Sequence, residues 1–448
     1  MSSTGVTKEF TQGRPLPLLL AFTVPLLLGN VLQQFYLLTD SAIVSNFLGV
    51  SKLAAVGAST SITFLILGFC NGCAGGMAIP VAQAFGARDY ANLRKYVFNS
   101  LYVAAILSVV LGVASSLLCH QIIRWLRVPA DIEQWAYTYL LILFIGIPCS
   151  FFYNLLASII RALGDSRTPF LFLIFSTVLN IALDILFIVV FKWDVAGAAV
   201  ATVLAQGIAS VLCFRLMMKN YEVIRERPED RGFDARACAR LLSIGSPMGL
   251  QFSITAIGCI LLQSATNALG TGYAAAFAAG TRIKMVFMTA LEALGMAMTT
   301  YAGQNYGAGK PERILDGVKT SLLLIVLFSM FCFAVMWPFA EQLARIFVDK
   351  SQTDILDATI KYVRVSVTWF IPLGTLCLFR YSIQGMGRTN LAMWSGVMEM
   401  VARIAVSVLL VAPFGFTAVC YGDAIAWVAA NLFLVPAFIA VYRKTLKQ

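Results

Sequence analysis

Long apolar blocks, parted only by short polar, glycine or proline breaks, run through nearly all of this 448-residue chain. They lie near 16–39, 53–80, 96–119, 135–160, 168–191, 195–218, 240–268, 276–303, 317–340, 358–384, 389–412 and 418–442. Each approaches the roughly twenty residues that carry a helix across a bilayer, whereas barrel strands are about ten residues long and alternate. The pattern predicts an all-α membrane protein with twelve transmembrane helices, multi-pass in the inner or plasma membrane. The first block is long and follows Lys8, Glu9 and Arg14 without a small-residue cleavage site, so no cleavable signal peptide is expected.

The one extended polar stretch, KNYEVIRERPEDRGFDARACAR, begins at Lys219 and separates the sixth block from the seventh. It divides the chain into a leading six-helix bundle over residues 1–218, a cytoplasmic linker over 219–239 and a second bundle over 240–448. The two halves resemble one another. QAFGARDYANLRKYV from Gln83 matches QNYGAGKPERILDGV from Gln304, RALGDSRT from Arg161 matches IQGMGRTN from Ile383, and Pro25 matches Pro247, all at nearly one separation. Six spans per half bring the second copy in from the same side as the first, so the bundles are related by an axis along the membrane normal.

Composition reinforces this picture. Hydrophobic residues make up 59% of the chain and charged residues 12%, against about a quarter charged in soluble proteins. Basic residues favour one side: Lys8, Arg14, Arg88, Arg94, Lys95, Arg161, Arg167, the 215–240 stretch, Lys310, Arg313, Lys319, Arg388 and the tail fall together. The other side receives fewer, including Lys52, Arg124, Arg127, Lys192, Arg345, Lys350, Lys361 and Arg364. The positive-inside rule then puts both termini in the cytoplasm. The net charge of +11 reads as a topology signal, with no nucleic-acid partner implied.

Several chemistries are disfavoured. The only histidine is His120, too little for a zinc site or a Ser-His-Asp triad. Cys70 and Cys73 form a lone CxxC inside FCNGCAGG and read as small buried thiols. GQNYGAGKP lacks the first glycine of a P-loop and has Pro311 where Ser or Thr would hold Mg²⁺. The chain is expected to be no enzyme, to need no cofactor and to draw on an ion gradient.

Ionisable groups at membrane depth cost roughly 2.5–3.5 kcal/mol each on insertion scales, and they mark function. Asp40 closes QQFYLLTD, Asp184 lies in VLNIALDILFI, and Asn180 precedes Asp184 by four residues on the same helical face. With Thr202 in the next span they offer oxygens suited to a hard cation such as Na⁺; a buried carboxyl equally suits a proton carrier. The residues leave both couplings open. In the second half, Glu292 stands among Met285, Phe287, Met288, Met296 and Met298, an adaptable apolar setting with one carboxylate. Glu399 and Arg403, four residues apart, read as a self-neutralising pair. Gln33, Gln34, Tyr36, Tyr139, Asn154, Gln251 and Gln263 are further polar groups able to face a central cleft.

YLLTDSAIV, QAFGARD with QNYGAGK, RALGDSRTP, LNIALDILFI and GAAVAT, in this order over essentially the whole chain, resemble the multidrug and toxic compound extrusion (MATE) family, in its DinF-like prokaryotic branch. The resemblance implies a V-shaped fold of two pseudo-symmetric six-helix bundles and export of small organic cations against Na⁺ or H⁺. It implies cation coupling at Asp40, Asn180, Asp184 and Thr202, a polar network of Tyr36, Tyr139 and Asn154, and a bend in the first helix at Pro25. Gln34, Gln251, Met288 and Glu292 are the expected substrate-side residues, and the chain is expected to act as a monomer. A second branch of the family couples through acids in its seventh and tenth helices; here the seventh has Gln251, and no acid lies between Asp357 and Glu399. The rival within the superfamily is a lipid-linked precursor flippase, whose pyrophosphate ligand calls for free cations; Arg282, Lys284, Arg380 and Arg403 are the candidates.

Overall fold

The computed structural model describes residues 8–125, 128–225 and 228–446. Arg127 of the sparse basic side and Glu226 and Arg227 of the linker lie outside them.

Among the described residues the fold is all helix. α1 (Pro15–Leu48), α2 (Val50–Gly86) and α3 (Tyr90–Leu117) lead, followed by the short α4 (Cys119–Trp125), α5 (Glu133–Ile145), α6 (Ile147–Ala162), α7 (Arg167–Asp184) and α8 (Val195–Asn220). The linker contributes α9 (Glu222–Arg225) and a 3₁₀ turn. Then come α10 (Ala235–Ala268), α11 (Thr271–Gly307), α12 (Pro311–Met336), the short α13 (Ala340–Ala344), α14 (Thr353–Thr368), α15 (Phe370–Gly385), α16 (Thr389–Ala405), the short α17 (Val411–Phe414) and α18 (Phe416–Thr445). Among the described residues ten helices are long and apolar enough to cross a membrane, and two bent pairs, each taken as one span, raise the number to twelve. The pairs are α5 with α6, bent by 48°, and α14 with α15, bent by 51°. They correspond to the predicted single spans 135–160 and 358–384. Pro148 and Pro372 stand just past the two breaks, where a proline ring removes a helical N–H and clashes with the preceding turn. Large apolar side chains face outward all along these helices, Phe35, Leu38, Ile106, Leu171, Met330 and Leu432 among them. That surface suits hydrocarbon as its solvent.

The chain divides into two compact units, and not at the linker. The first unit takes Lys8 and Glu9 with Val24–Gly249; the second takes Phe10–Thr23 with the chain from Leu250 on. Each unit thus includes the leading arm of the other half. Both arms are held by groups in or just past the repeated motifs. In the second unit, Phe10 is fully buried, and its N–H donates to Gln304 Oε1 at 2.9 Å. Asn305 Nδ2 and Arg313 Nη2 donate to the Phe10 carbonyl at 3.2 and 3.0 Å, Arg313 also to that of Gly13, and Lys310 Nζ to that of Thr11. In the first unit, Asn99 accepts from the Asp234 N–H at 2.8 Å and donates to the Gly232 carbonyl at 3.1 Å, while Arg94 pairs with Asp230 at 2.7 Å. Asp234 in turn accepts the Ala237 and Arg236 N–H groups, which hold its carboxyl below the usual range.

The FCNGCAGG stretch belongs to this packing. A Cβ on Gly76 would lie 2.7 Å from the Gly245 Cα, and one on Gly249 2.6 Å from Cys73 Sγ. The small residues let α2 and the start of α10 touch backbone to backbone; Cys73 lies in that contact, and Cys70 and Cys73 are both buried thiols.

Candidate functional site

α1 runs well past the predicted end of the first span, which puts Asp40 inside the helix rather than at its solvated end. Asp40 is 9% exposed and Asp184 fully buried, so both carboxyl groups are largely withdrawn from solvent. Asp184 closes α7, and the chain then continues as a π-helical stretch, Ile185–Val190. Such widened turns break the regular ladder and re-aim the side chains beside them.

The two carboxyl groups come within hydrogen-bonding reach of one another. The surrounding partners come from four helices of the first unit. Assigned by its hydrogen bonds, the Asn180 amide donates to Asp184 Oδ2 at 2.9 Å and accepts from the Thr202 N–H at 3.2 Å. Thr202 Oγ1 donates to the Ala198 carbonyl at 3.1 Å and lies 3.3 Å from Tyr36 Oη, which ties α8 to α1. Tyr139 of α5 stands within electrostatic reach of Asp40, Tyr36 and Asp184. One turn beyond these groups the wall is apolar: Val44 follows Asp40, Ile188 follows Asp184 and Ala198 precedes Thr202, and these buried side chains pack together with Tyr139.

The cluster is incomplete. Asp40 Oδ1 and Asp184 Oδ1 are both buried without a hydrogen-bond partner. Two adjacent carboxylates in an apolar setting repel and lose hydration, so they hold together only with a proton or a bound cation between them. Asp40, Asp184, Asn180 and Thr202 supply oxygens of the hard type that Na⁺ takes; the protonated alternative needs only the carboxyl pair.

The remaining expected residues scatter. Asn154 donates its amide back to the Ser150 carbonyl at 2.8 Å, and Ser150 is bonded to Gln206 of α8, so its hydrogen bonding stays on a neighbouring face of the same bundle. Pro25 lies inside an unbroken α1. Gln34 and Met288 are half-buried. Gln251 is 4% exposed and accepts from Gln384 Nε2 at 3.2 Å. Glu292 is half-buried and lies within electrostatic reach of Arg380, Cys377 and Tyr381.

The second unit holds a buried ion chain of which the sequence showed only one link. Lys284 pairs with Asp423, Asp423 with Arg403 at 3.0 Å, Arg403 with Glu399 at 3.4 Å, and Glu399 with Arg380. Arg380 Nε also donates to Ser395 Oγ at 3.1 Å, and Lys284 Nζ to Tyr362 Oη at 2.7 Å. The Glu399–Arg403 pair is therefore not self-contained: Arg380 competes for Glu399, and Arg403 turns its Nε to Asp423. Lys284, Arg380 and Arg403 all have carboxylate partners, which removes them as free cations for a phosphate-bearing ligand. Asp423 and Tyr362 were not foreseen, since the groups they bind, Lys284 and Arg403, come from helices far away in sequence or from another span.

The family described as MatE matches residues 25–186 and 247–409, one segment in each half. A probable multidrug resistance protein, YpnP of Bacillus subtilis (strain 168), is 32% identical over 76% of this chain and 76% of its own length. The multidrug export protein MepA of Staphylococcus saprophyticus subsp. saprophyticus is 22% identical over 94% of this chain and 92% of its own. Among solved structures, an outward-facing multidrug resistance MATE transporter of the MOP superfamily superposes with a TM-score of 0.90 at 22% identity, over all of both chains. Twelve apolar spans, the doubled family match and the shared fold agree that this chain is a multi-pass membrane transporter, not an enzyme, and that it belongs to the MATE family.

Proposed function

We propose that the protein is a secondary antiporter that exports small organic cations in exchange for Na⁺ or H⁺, with Asp40, Asn180, Asp184 and Thr202 as the coupling site. The observation that carries this reading is the pair of adjacent buried carboxyl groups, each with an oxygen that no protein donor satisfies. A site of this kind is strained when its carboxylates are charged and relaxed when a cation or proton joins them, which gives the entering ion a differential affinity for one conformation. Relatives named as multidrug resistance and multidrug export proteins support a drug-type small-molecule substrate.

In the proposed cycle, the ion enters between Asp40 and Asp184 and shifts α1 through the Tyr36–Thr202 contact. Pro25 supplies the hinge, since the helix there already lacks one backbone hydrogen bond. The shift closes one access route and releases substrate to the outside. Recharging of the carboxylates returns the protein. Gln34, Met288 and Glu292 are the substrate-side groups of this reading; Gln251 joins them only by giving up its bond to Gln384. The halves at residues 1–218 and 240–448 alternate as bundles in a monomer in the plasma or inner membrane, with both termini cytoplasmic. The flippase reading loses most of its support, because three of its four candidate cations, Lys284, Arg380 and Arg403, are already paired, which leaves Arg282.

Efflux of an organic cation from proteoliposomes, under separately imposed Na⁺ and pH gradients, tests the proposal. One of the two gradients is expected to drive efflux, its reversal to reverse net movement, and Asp184→Asn to abolish the response. Gradient-driven efflux that persists undiminished in Asp184→Asn would overturn the assignment.

A further inference from the structure

Lys284 turns from α11 into the interior of the second unit, its side chain 6% exposed. Its ammonium donates to Asp423 and, at 2.7 Å, to Tyr362 Oη. The nitrogen lies 5.3 Å from the centroid of the Tyr362 ring and 5.8 Å from that of Trp427. A carboxylate, a phenolic oxygen and two aromatic faces around one nitrogen are what binds a primary ammonium ion out of water: the N–H groups need acceptors, and the ring faces attract the charge.

The lysine is not the sole cation on its carboxylate: Asp423 also accepts from Arg403 Nε at 3.0 Å. Lys284, Arg403 and Arg380 share Asp423 and Glu399, and Glu292 lies within electrostatic reach of Arg380 at the far end of the chain. Its location is also telling. At the separation of the two family-matched segments, Arg403 falls beside the counterpart of Asn180 and Asp423 beside the counterpart of Thr202. A π-helical stretch, Val406–Leu410, follows there as Ile185–Val190 follows Asp184.

We infer that Lys284 is a tethered cation: its ammonium permanently fills a primary-ammonium cage formed by Asp423, Tyr362 and Trp427, and with the lysine side chain removed this cage takes a free alkylammonium ion. The second bundle thereby carries, as part of its own chain, the kind of charge that the first must collect from solution. The ligand class is a primary ammonium of up to three carbons, since Lys284→Ala deletes the atoms of n-propylammonium.

The test is binding to purified full-length protein, read without transport, so its outcome stands apart from the antiport proposal. Thermal unfolding is followed for the parent, Lys284→Ala and the double variant Lys284→Ala/Asp423→Asn, each titrated with n-propylammonium or tetramethylammonium chloride at constant ionic strength. Lys284→Ala is expected to lower the unfolding midpoint, and n-propylammonium to raise it again with saturation. Tetramethylammonium, which has no N–H to donate, leaves it unchanged. The parent and the double variant do not respond. A Lys284→Ala protein that responds no more than the parent, or a double variant that responds as strongly, overturns the inference. Where Lys284→Ala is recovered poorly folded, the yield of monodisperse protein solubilised with and without n-propylammonium is compared. A rise specific to that ion supports the cage, and no rise overturns it.

Discussion

The two halves bury charge in opposite ways. In the first unit, Asp40 and Asp184 meet among neutral partners, and an oxygen of each is left without a donor. In the second, Asp423 and Glu399 are threaded between Lys284, Arg403 and Arg380, so that each carboxylate has two cationic partners. The repeats are thus similar in helix order and in their π-helical interruptions, yet only one is electrostatically complete. Incompleteness is what a coupling site requires, because a cluster that is already neutral gains nothing from an arriving ion. Completeness is what a rigid bundle requires, because an unpaired charge in a dry interior is strongly destabilising.

Substitutions at the two clusters should therefore fail differently. The largest effect is expected from Asp184→Asn: loss of gradient-driven transport in proteoliposomes with no fall in thermal stability, since the change removes one of two neighbouring carboxylates. A clear fall in the unfolding midpoint would erase the contrast between the units. Next comes Glu399→Gln, which strands Arg380 and should cost about 3–5 kcal/mol, visible as early thermal unfolding in detergent. The contrast sharpens with Glu399→Leu/Arg380→Met, which removes both partners and should be less destabilised than Glu399→Gln; equal losses would mean that packing rather than charge sets the cost. Smaller again is Arg313→Ala, which removes the side-chain donor to the Gly13 carbonyl and one of two to the Phe10 carbonyl and should cost about 1–2 kcal/mol, read as faster proteolysis of the leading arm. The smallest is Tyr36→Phe. Loss of the 3.3 Å contact to Thr202 should weaken half-saturation by the coupling ion about fivefold, the equivalent of about 1 kcal/mol, with stability unchanged.

Much of the site was legible because its signals are local. Asn180 and Asp184 share a helical face four residues apart, a spacing that can be read along the chain. Other features were legible only as patterns without a purpose. The repeated QAFGARD and QNYGAGK motifs mark a duplication, yet the sequence does not say that Gln304, Asn305 and Arg313 hold the leading arm around Phe10. Asn154 resembled a member of the polar network, but its amide is satisfied one turn back on its own helix, a competition that residue identity alone does not reveal.

The sequence by itself determined the class, the number of spans, the internal duplication and the aspartates of the first half. All of these follow from hydropathy, length and the cost of charge in hydrocarbon, quantities that can be read along a line. Tertiary structure alone decided the exchange of leading arms and the joining of Lys284, Tyr362, Arg380, Arg403 and Asp423 into one chain of ion pairs and hydrogen bonds. Those depend on which distant helices become neighbours, and whether a buried charge is a site or a strut is settled by the partner that packing brings to it.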